Sequence, residues 1–200
     1  MPVLDPWPSR APSWSEVEYY EILEVPPNII LSLQKRSEKE KLFAGKGSCS
    51  VMIGNEKKDL TNGSSVEVTS MLFHVSASEE PVTLIRIGGS WESDCGGCGV
   101  FSMDKSAEAE NTGDPADYPR NTLFDNHFHD CDEFWIIFKG RALVYSEGKP
   151  YTISAGSCIA TKRGDHHDIA EIYETLQGVY FETTLKSPKR PGHLHNPDGL

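Results

Sequence analysis

The sequence predicts an all-β protein, built as a sandwich or a barrel. Short apolar segments recur along its 200 residues, and Gly, Asn, Ser, Glu-Gly or Lys-Pro separate many of them. Closely spaced strands joined by turns produce this pattern. In addition, two parts of the chain repeat one spacing of Glu, Gly and His, as related structural units do. We therefore expect a β-protein that contains two related units.

Nine segments are predicted as strands, because each is short, apolar and bounded by turn residues. In chain order they are residues 29–33, 51–53, 66–75, 82–87, 134–138, 142–145, 151–153, 158–160 and 178–181. One helix is predicted over residues 15–23, with Ser15 as its N-cap. The interval 104–122 is polar and contains Gly and Pro, so we expect a linker or an ordered lid there.

A candidate metal-binding pattern lies just past the middle of the chain. His127 and His129 are two residues apart, so on a strand they share a face, with Cα atoms about 6.6 Å apart. Glu133 can supply a carboxylate, and His167 can supply a fourth ligand from a neighbouring strand; His166 is the alternative if the register slips by one residue. Imidazole and carboxylate ligands favour transition metals over calcium or magnesium. We expect one divalent ion per chain, which is Fe, Mn, Zn or Ni.

These residues resemble the two sequence motifs of the cupin superfamily. The first motif, a His-x-His pair followed by Glu and Gly, is matched without a gap by His127, His129, Glu133 and Gly140. The second motif is matched by Gly156, Gly164 and His167, whereas Lys162 replaces its usual Pro and Glu171 replaces its usual Asn. The resemblance implies a jelly-roll β-barrel that holds a metal ion.

The repeat becomes visible when the sequence is shifted by 93 residues. The shift places Glu40 on Glu133, Gly47 on Gly140, Gly63 on Gly156, and His74 on His167. It also places Gln34 and Arg36 on the two histidines of the first motif, and arginine cannot donate to a metal. We therefore expect a first unit that has lost its metal site. Glu40 lies in the charged run 35–41, which is expected to be a solvated face.

Together, the resemblance and the repeat imply a two-lobed cupin, or bicupin. Residues 1–103 would form a degenerate N-terminal lobe, and residues 104–122 the linker or lid. Residues 123–185 would form the metal-binding core, followed by an extended tail over 186–200.

Composition narrows the cellular context. The net charge is −11 without a basic stripe, which disfavours nucleic-acid binding, and no apolar segment is long enough to span a bilayer. The N-terminus lacks the features of a signal peptide, and five cysteines are an odd, mostly scattered set, so a reducing cytoplasm is expected. Cys95 and Cys98 can be half of a zinc site, a redox pair or a flexible Gly-rich turn, and the turn is favoured.

Three histidines and one carboxylate leave coordination positions open for a substrate. Candidates for further active-site roles are Arg120, which suits an anionic group, and Tyr145 and Glu182 on neighbouring strands. The first hypothesis is a metal-dependent enzyme that isomerises or enolises a sugar or sugar-acid derivative. The alternatives are a non-haem iron dioxygenase and a non-catalytic small-molecule-binding cupin. A small-molecule substrate and a homodimer are the expected partners, the latter from the resemblance alone.

Overall fold

The computed structural model describes residues 3–4, 11–105, 113–186 and 189. The described residues form β-strands, turns and loops without a helix, which confirms the all-β prediction. The strands form three open sheets instead of one closed barrel. Within this part of the chain there is accordingly no helix long and apolar enough to cross a membrane.

The N-terminal half contributes two four-stranded sheets. After a short β1 (Val3–Leu4), the strands are β2 (Val17–Val25), β3 (Ile30–Gln34), β4 (Lys39–Lys46), β5 (Cys49–Ile53), β6 (Glu56–Leu60), β7 (Ser65–Glu67), β8 (Leu72–Ala77) and β9 (Val82–Gly89). One sheet has the order β2-β9-β4-β7 and the other the order β3-β8-β5-β6. The two sheets pack across a shared core that includes Leu42, Leu84, Val51 and Phe73.

The C-terminal half forms the third sheet. Its strands are β10 (Cys98–Met103), β11 (Glu133–Ser146), β12 (Lys149–Ser154), β13 (Cys158–Thr161) and β14 (His167–Glu182). The order is β1-β13-β11-β14-β10, with β12 also paired to β11. Both faces of β11 are buried: Phe134 and Ile136 pack with residues of the N-terminal half, whereas Trp135 and Ile137 belong to a separate core.

The 93-residue spacing seen in the sequence reappears as a spacing of strand pairs. In the N-terminal half Lys41 pairs with Glu67, and in the C-terminal half Phe134 pairs with Ala160. Two glycines of the repeat, Gly47 just after β4 and Gly140 within β11, have φ angles of 81° and 85°. Only glycine adopts this conformation readily, and the repeated glycines therefore mark equivalent bends in the two halves.

One predicted element is wrong. The helix expected over residues 15–23 is the strand β2, which pairs with β9 in a register that includes Tyr20 with Ile87. The segment is rich in aromatic and branched residues, which favour a strand on a buried sheet surface. Its apolar pattern is compatible with a helix or a strand, and pairing with β9 selects the strand. The N-cap role expected for Ser15 is therefore also wrong, although its Oγ accepts a hydrogen bond from the Val17 amide at 3.1 Å.

Two boundaries between predicted strands also differ. The segments 134–138 and 142–145 are one strand, β11, which continues through irregular pairing around Gly140. The segment 66–75 instead divides between β7 and β8. Gly140 bends β11 without ending it, so the turn predicted between residues 138 and 142 does not mark the end of a strand.

Candidate metal centre

The four predicted metal ligands lie together in the C-terminal half. His127 and His129 precede β11, Glu133 is its first residue, and His167 is the first residue of β14. The backbones of His127 and His167 form two hydrogen bonds with each other. The His127 amide donates to the His167 carbonyl at 3.3 Å, and the His167 amide donates to the His127 carbonyl at 3.0 Å. Each of the four buried side chains offers one ligand atom, and these atoms all lie within 4.8 Å of one another.

The ligand atoms converge on one point. His127 Nε2 lies 3.1 Å from His129 Nε2, which lies 3.0 Å from Glu133 Oε2. His167 Nε2 is 2.6 Å from the same carboxylate oxygen. Among the described residues that nitrogen nevertheless has no hydrogen-bond partner. Polar atoms crowded this closely around one point fit a metal ion placed between them.

Neighbouring groups orient three of the ligands. The Nδ1 atoms of His127 and His167 lie 2.9 and 3.1 Å from the carbonyl oxygens of Asp125 and Asp165. A proton on each Nδ1 leaves the Nε2 lone pair for a metal, which is the usual arrangement of histidine ligands. Trp135 Nε1 donates to Glu133 Oε1 at 2.7 Å and leaves Oε2 for the ion.

The charge states of Glu133 and His127 also suit metal binding. Burial opposes ionisation of Glu133, but the positive charge of His167 and the close contacts with both histidine neighbours lower its pKa well below the ordinary value. Burial opposes protonation of His167, but the charge of Glu133 raises its pKa, so a metal would have to displace that proton. Burial, followed by repulsion from His167, lowers the pKa of His127 to about 3. An ionised carboxylate and a neutral imidazole are the forms that coordinate metals.

His167, and not its neighbour, belongs to this group. The side chain of His166 is 40% exposed, and its Nε2 lies 3.0 Å from Asp114 Oδ2. Adjacent strand residues face opposite sides, so the two histidines cannot both point inward.

Of the three candidates for further active-site roles, Glu182 lies closest to the ligand group. It is the cross-strand partner of Glu133 and is buried. The Gly97 amide donates to its Oε2 at 2.6 Å. Burial and the charge of Glu133 raise the pKa of Glu182, so this carboxyl is the more readily protonated of the pair.

Arg120 and Tyr145 have other partners. The buried guanidinium of Arg120 forms an ion pair with Asp168, next to His167, and also donates to the Phe124 carbonyl. Tyr145 stacks on Tyr118 with ring centroids 3.6 Å apart. The Arg120 ion pair joins the segment after residue 113 to the start of β14, beside His167, and the tyrosine stack joins the same segment to β11.

The Cys95–Cys98 segment extends the pairing of β10 with β14. Cys98 pairs with Phe181, and Cys95 forms an isolated bridge with Thr184. The favoured interpretation as a turn is therefore wrong. Three residues of extended chain separate the Cα atoms by about 10 Å, and a disulfide needs less than about 7 Å. The two intervening glycines make room for Glu182, because a Cβ on Gly96 would lie 2.0 Å from its Oε2.

The residue of the N-terminal half that corresponds to Glu133 is not solvated. Glu40 is 1% exposed and forms an ion pair with the fully buried Arg86, with Nη2 2.7 Å from Oε2. The expectation of a surface residue was wrong, because the charged run alternates and Glu40 faces inward on β4. The arginine that pairs with it was missed. A single charge inside the apolar strand β9 was the signal for it.

The fold resembles that of cupins and contains a buried group of candidate metal ligands, and comparisons with known proteins support the fold. Residues 116–183 match the sequence profile of the AraC-like ligand binding domain. AerE from Microcystis aeruginosa aligns with a TM-score of 0.61 and 12% identity over 91% of this chain and 98% of that one. A variant of oxalate decarboxylase from Bacillus subtilis gives 0.63 and 11% over 92% and 77%. At these identities the likeness concerns the fold alone. The chain has a cupin-like fold.

A protein with clearly related sequence identifies the family of this chain. The "Uncharacterized protein y4oW" of Sinorhizobium fredii (strain NBRC 101917 / NGR234) is 34% identical over 187 residues. The match covers 92% of this chain and 86% of that protein. The chain therefore belongs to the same family as y4oW.

Proposed function

We propose that this protein is a metal-dependent cupin enzyme that isomerises or enolises a small polar substrate, such as a sugar or sugar-acid derivative. The proposed metal ligands are His127, His129, Glu133 and His167. The observation that carries the proposal is the buried Glu182, which lies directly across the strand pair from Glu133. It adds a group that can accept and return a proton beside a group of atoms suited to a metal.

The chemistry divides between the ion and the chain. A bound transition metal supplies Lewis acidity toward a carbonyl or hydroxyl oxygen of the substrate. Glu182 would remove a proton from the carbon next to the carbonyl group and deliver it to a neighbouring atom. Its raised pKa suits this role, because a general base works best when its pKa approaches the working pH.

Other residues would hold the participants in place. The Gly97 amide fixes one oxygen of Glu182, and Trp135 fixes one oxygen of Glu133. The side chains of all four proposed ligands are buried, so water is largely excluded from them. A dry, preorganised site strengthens electrostatic interactions with charge that develops during the reaction.

Two alternatives use the same ligands. A non-haem iron dioxygenase is compatible with three histidines and one carboxylate. A non-catalytic binding module is supported by the match of residues 116–183 to the AraC-like ligand binding domain.

We also propose that the N-terminal half is a second cupin-like lobe without a metal. The support is the equal offset of strand pairs in the two halves and the arginine beside Glu40. Residues 1–103 would form this lobe, 104–122 the linker or lid, 123–185 the metal-binding core and 186–200 the tail. The five free cysteines support a reducing compartment such as the cytoplasm. A homodimer remains a proposal from the superfamily resemblance.

The test has two stages. Elemental analysis should find a transition metal bound to the wild-type chain and to His166→Gln, a control for the neighbouring histidine, but not to His129→Ala. A panel of sugars and sugar acids is then incubated in deuterium oxide and followed by NMR. Deuterium at the carbon next to the carbonyl, lost in Glu182→Gln, is the expected result.

Each other outcome selects a different function. Oxygen consumption without deuterium exchange would indicate the dioxygenase. Ligand binding without turnover would indicate the binding module. A wild-type chain that holds no transition metal, even after reloading, would contradict the proposal.

A further inference from the structure

His129 belongs to two groups of potential ligands. The first is the group with His127, Glu133 and His167, and the second joins it to Cys131 and Glu182. All three residues of the second group are buried, and their ligand atoms lie within 4.8 Å of one another. The second group therefore lies beside the first and shares one imidazole with it.

The two nitrogens of His129 differ in their surroundings. Its Nε2 faces the first group, at 3.1 Å from His127 Nε2 and 3.0 Å from Glu133 Oε2. Its Nδ1 is buried and has no hydrogen-bond partner within the described part of the chain. The Nδ1 atoms of His127 and His167 each face a backbone carbonyl instead. A buried nitrogen without a partner is costly, and a ligand would remove that cost.

The other two donors are held in place. Cys131 Sγ lies 3.9 Å from Glu182 Oε2. The Gly97 amide donates to that same oxygen at 2.6 Å, so the carboxylate is anchored to the extended segment beside β14. The absence of a side chain at Gly96 leaves room for this arrangement, because a Cβ there would collide with the carboxylate.

Electrostatics favour a cation at this position. Cys131 and Glu182 are both buried, and Glu133 is the cross-strand partner of Glu182. Carboxylates and a potential thiolate are therefore crowded in a buried space. A metal ion neutralises such a cluster and displaces the thiol proton as it binds.

We propose that His129 Nδ1, Cys131 Sγ and the Glu182 carboxylate form a second cation site, which takes a thiophilic divalent ion such as Zn²⁺ or Co²⁺. Nitrogen, sulfur and oxygen ligands of this kind suit a tetrahedral ion, whose fourth position stays open. When both sites are filled, His129 gives up its ring proton and links the two ions. The site needs neither Glu133 nor His167, so ion binding there does not depend on the proposed function.

One consequence does rest on the proposed function. Glu182 cannot be a metal ligand and a proton acceptor at the same time. Filling the second site would therefore stop the proposed reaction, and excess thiophilic ion would inhibit an enzyme that needs its first ion.

The test uses the full chain, freed of metal with a chelator and kept reduced with a phosphine. Co²⁺ is titrated in, its binding is measured by equilibrium dialysis, and thiolate-to-cobalt absorption is recorded in the near ultraviolet. The wild type should take up a first and a second equivalent, with the thiolate absorption belonging to one of them. Cys131→Ser should lose that absorption together with one equivalent.

Three further variants make the result specific. Cys158→Ser is the matched control, because Cys158 is a buried thiol whose pKa is raised by burial alone, and it should behave as the wild type does. His167→Ala should keep the thiolate absorption while weakening the other equivalent. Glu182→Gln retains the shape of the carboxyl group and should weaken the equivalent that carries the absorption. Circular dichroism establishes that each variant is folded.

The outcomes separate this inference from the proposed function. Wild-type protein that binds Co²⁺ without thiolate absorption would overturn the second site and leave the first intact. Absorption that persists in Cys131→Ser would assign the thiolate to another cysteine and also overturn it. Absorption with no equivalent that is sensitive to His167→Ala would support the second site and count against the first.

Discussion

The two halves of the molecule each bury a glutamate at equivalent positions, but they compensate its charge in different ways. Glu133 faces three imidazoles, which can share a metal ion with it. Glu40 faces Arg86, whose Nε lies 2.9 Å from Oε2 and whose Nη2 lies 2.9 Å from Oε1. The Tyr19 hydroxyl and the Arg36 amide also donate to Glu40.

The difference shows two ways in which a protein can compensate the charge of a buried carboxylate. Arg86 stays protonated and is part of the chain, so it is a permanent counter-ion for Glu40. The ligand group around Glu133 suits a metal ion, which can bind and dissociate. The same comparison extends to Glu182, which the 93-residue offset relates to Gly89. The N-terminal half thus lacks the His-x-His pair and the second carboxylate, and its buried glutamate pairs with Arg86 instead.

The largest effect on stability is expected when Arg86, the counter-ion of Glu40, is replaced. Arg86→Ala leaves Glu40 buried without its counter-ion, and the free energy of unfolding should fall by about 3–5 kcal/mol. Urea denaturation measures this loss. The double variant Arg86→Met with Glu40→Gln should recover most of it, because no charge is then left unpaired. A loss below about 1 kcal/mol in the single variant would show that the pair does not compensate the buried charge.

Replacing a ligand of the candidate metal centre should abolish metal binding without a comparable loss of stability. His129→Ala should lower metal affinity by more than the 10–100-fold typical of residues that only support ligands. Added metal should then raise the melting temperature of the wild type but not of the variant. His74→Ala is the control from the other half, where the ring contacts Ser32 at 2.9 Å. If His74→Ala also lost the metal, the assignment of a metal-free N-terminal half would be wrong.

A side chain added beside Glu182 tests the carboxylate that the N-terminal half lacks. In Gly96→Ala the new Cβ would lie 2.0 Å from Glu182 Oε2 unless the carboxylate moves. We expect a stability loss of about 2 kcal/mol from the overpacking, together with loss of any activity that depends on this group. Gly63→Ala supplies a comparison in the other half, because no atom lies within 4 Å of its added Cβ, although its φ of 87° also adds strain. Unchanged activity in folded Gly96→Ala would argue against a role for Glu182.

The smallest effect is expected from loosening one ligand. Trp135→Phe keeps an aromatic ring but removes the hydrogen bond to Glu133 Oε1, and metal affinity should fall about tenfold. Metal competition with a chromophoric chelator measures the change. Trp91→Phe is the control, because Trp91 is buried against Phe181 in another core. Equal affinities in both variants would show that the Trp135 bond does not orient the carboxylate.

The group of four candidate ligands was predicted from the spacing of the two cupin-like motifs. The strand expected under His127 and His129 was wrong, because both residues precede β11 and only His127 forms an isolated bridge, with His167. The Arg86–Glu40 pair was harder to predict, since it depends on which strands are neighbours. An isolated charge within an apolar strand signals a partner without identifying it. The helix predicted over 15–23 failed because pairing with β9 outweighed the local pattern.

The strand β14 has a property that a flat sheet would not allow. His167 begins this 16-residue strand and Glu182 ends it, yet both side chains lie beside the ligands around Glu133. Its irregular pairing with β11 therefore curves the strand so that its two ends approach the same carboxylate, Glu133. A cation bound by Glu133 and His167 would link the two ends of β14. Amides at both ends of the strand would then gain protection from hydrogen exchange together, as one cooperative unit.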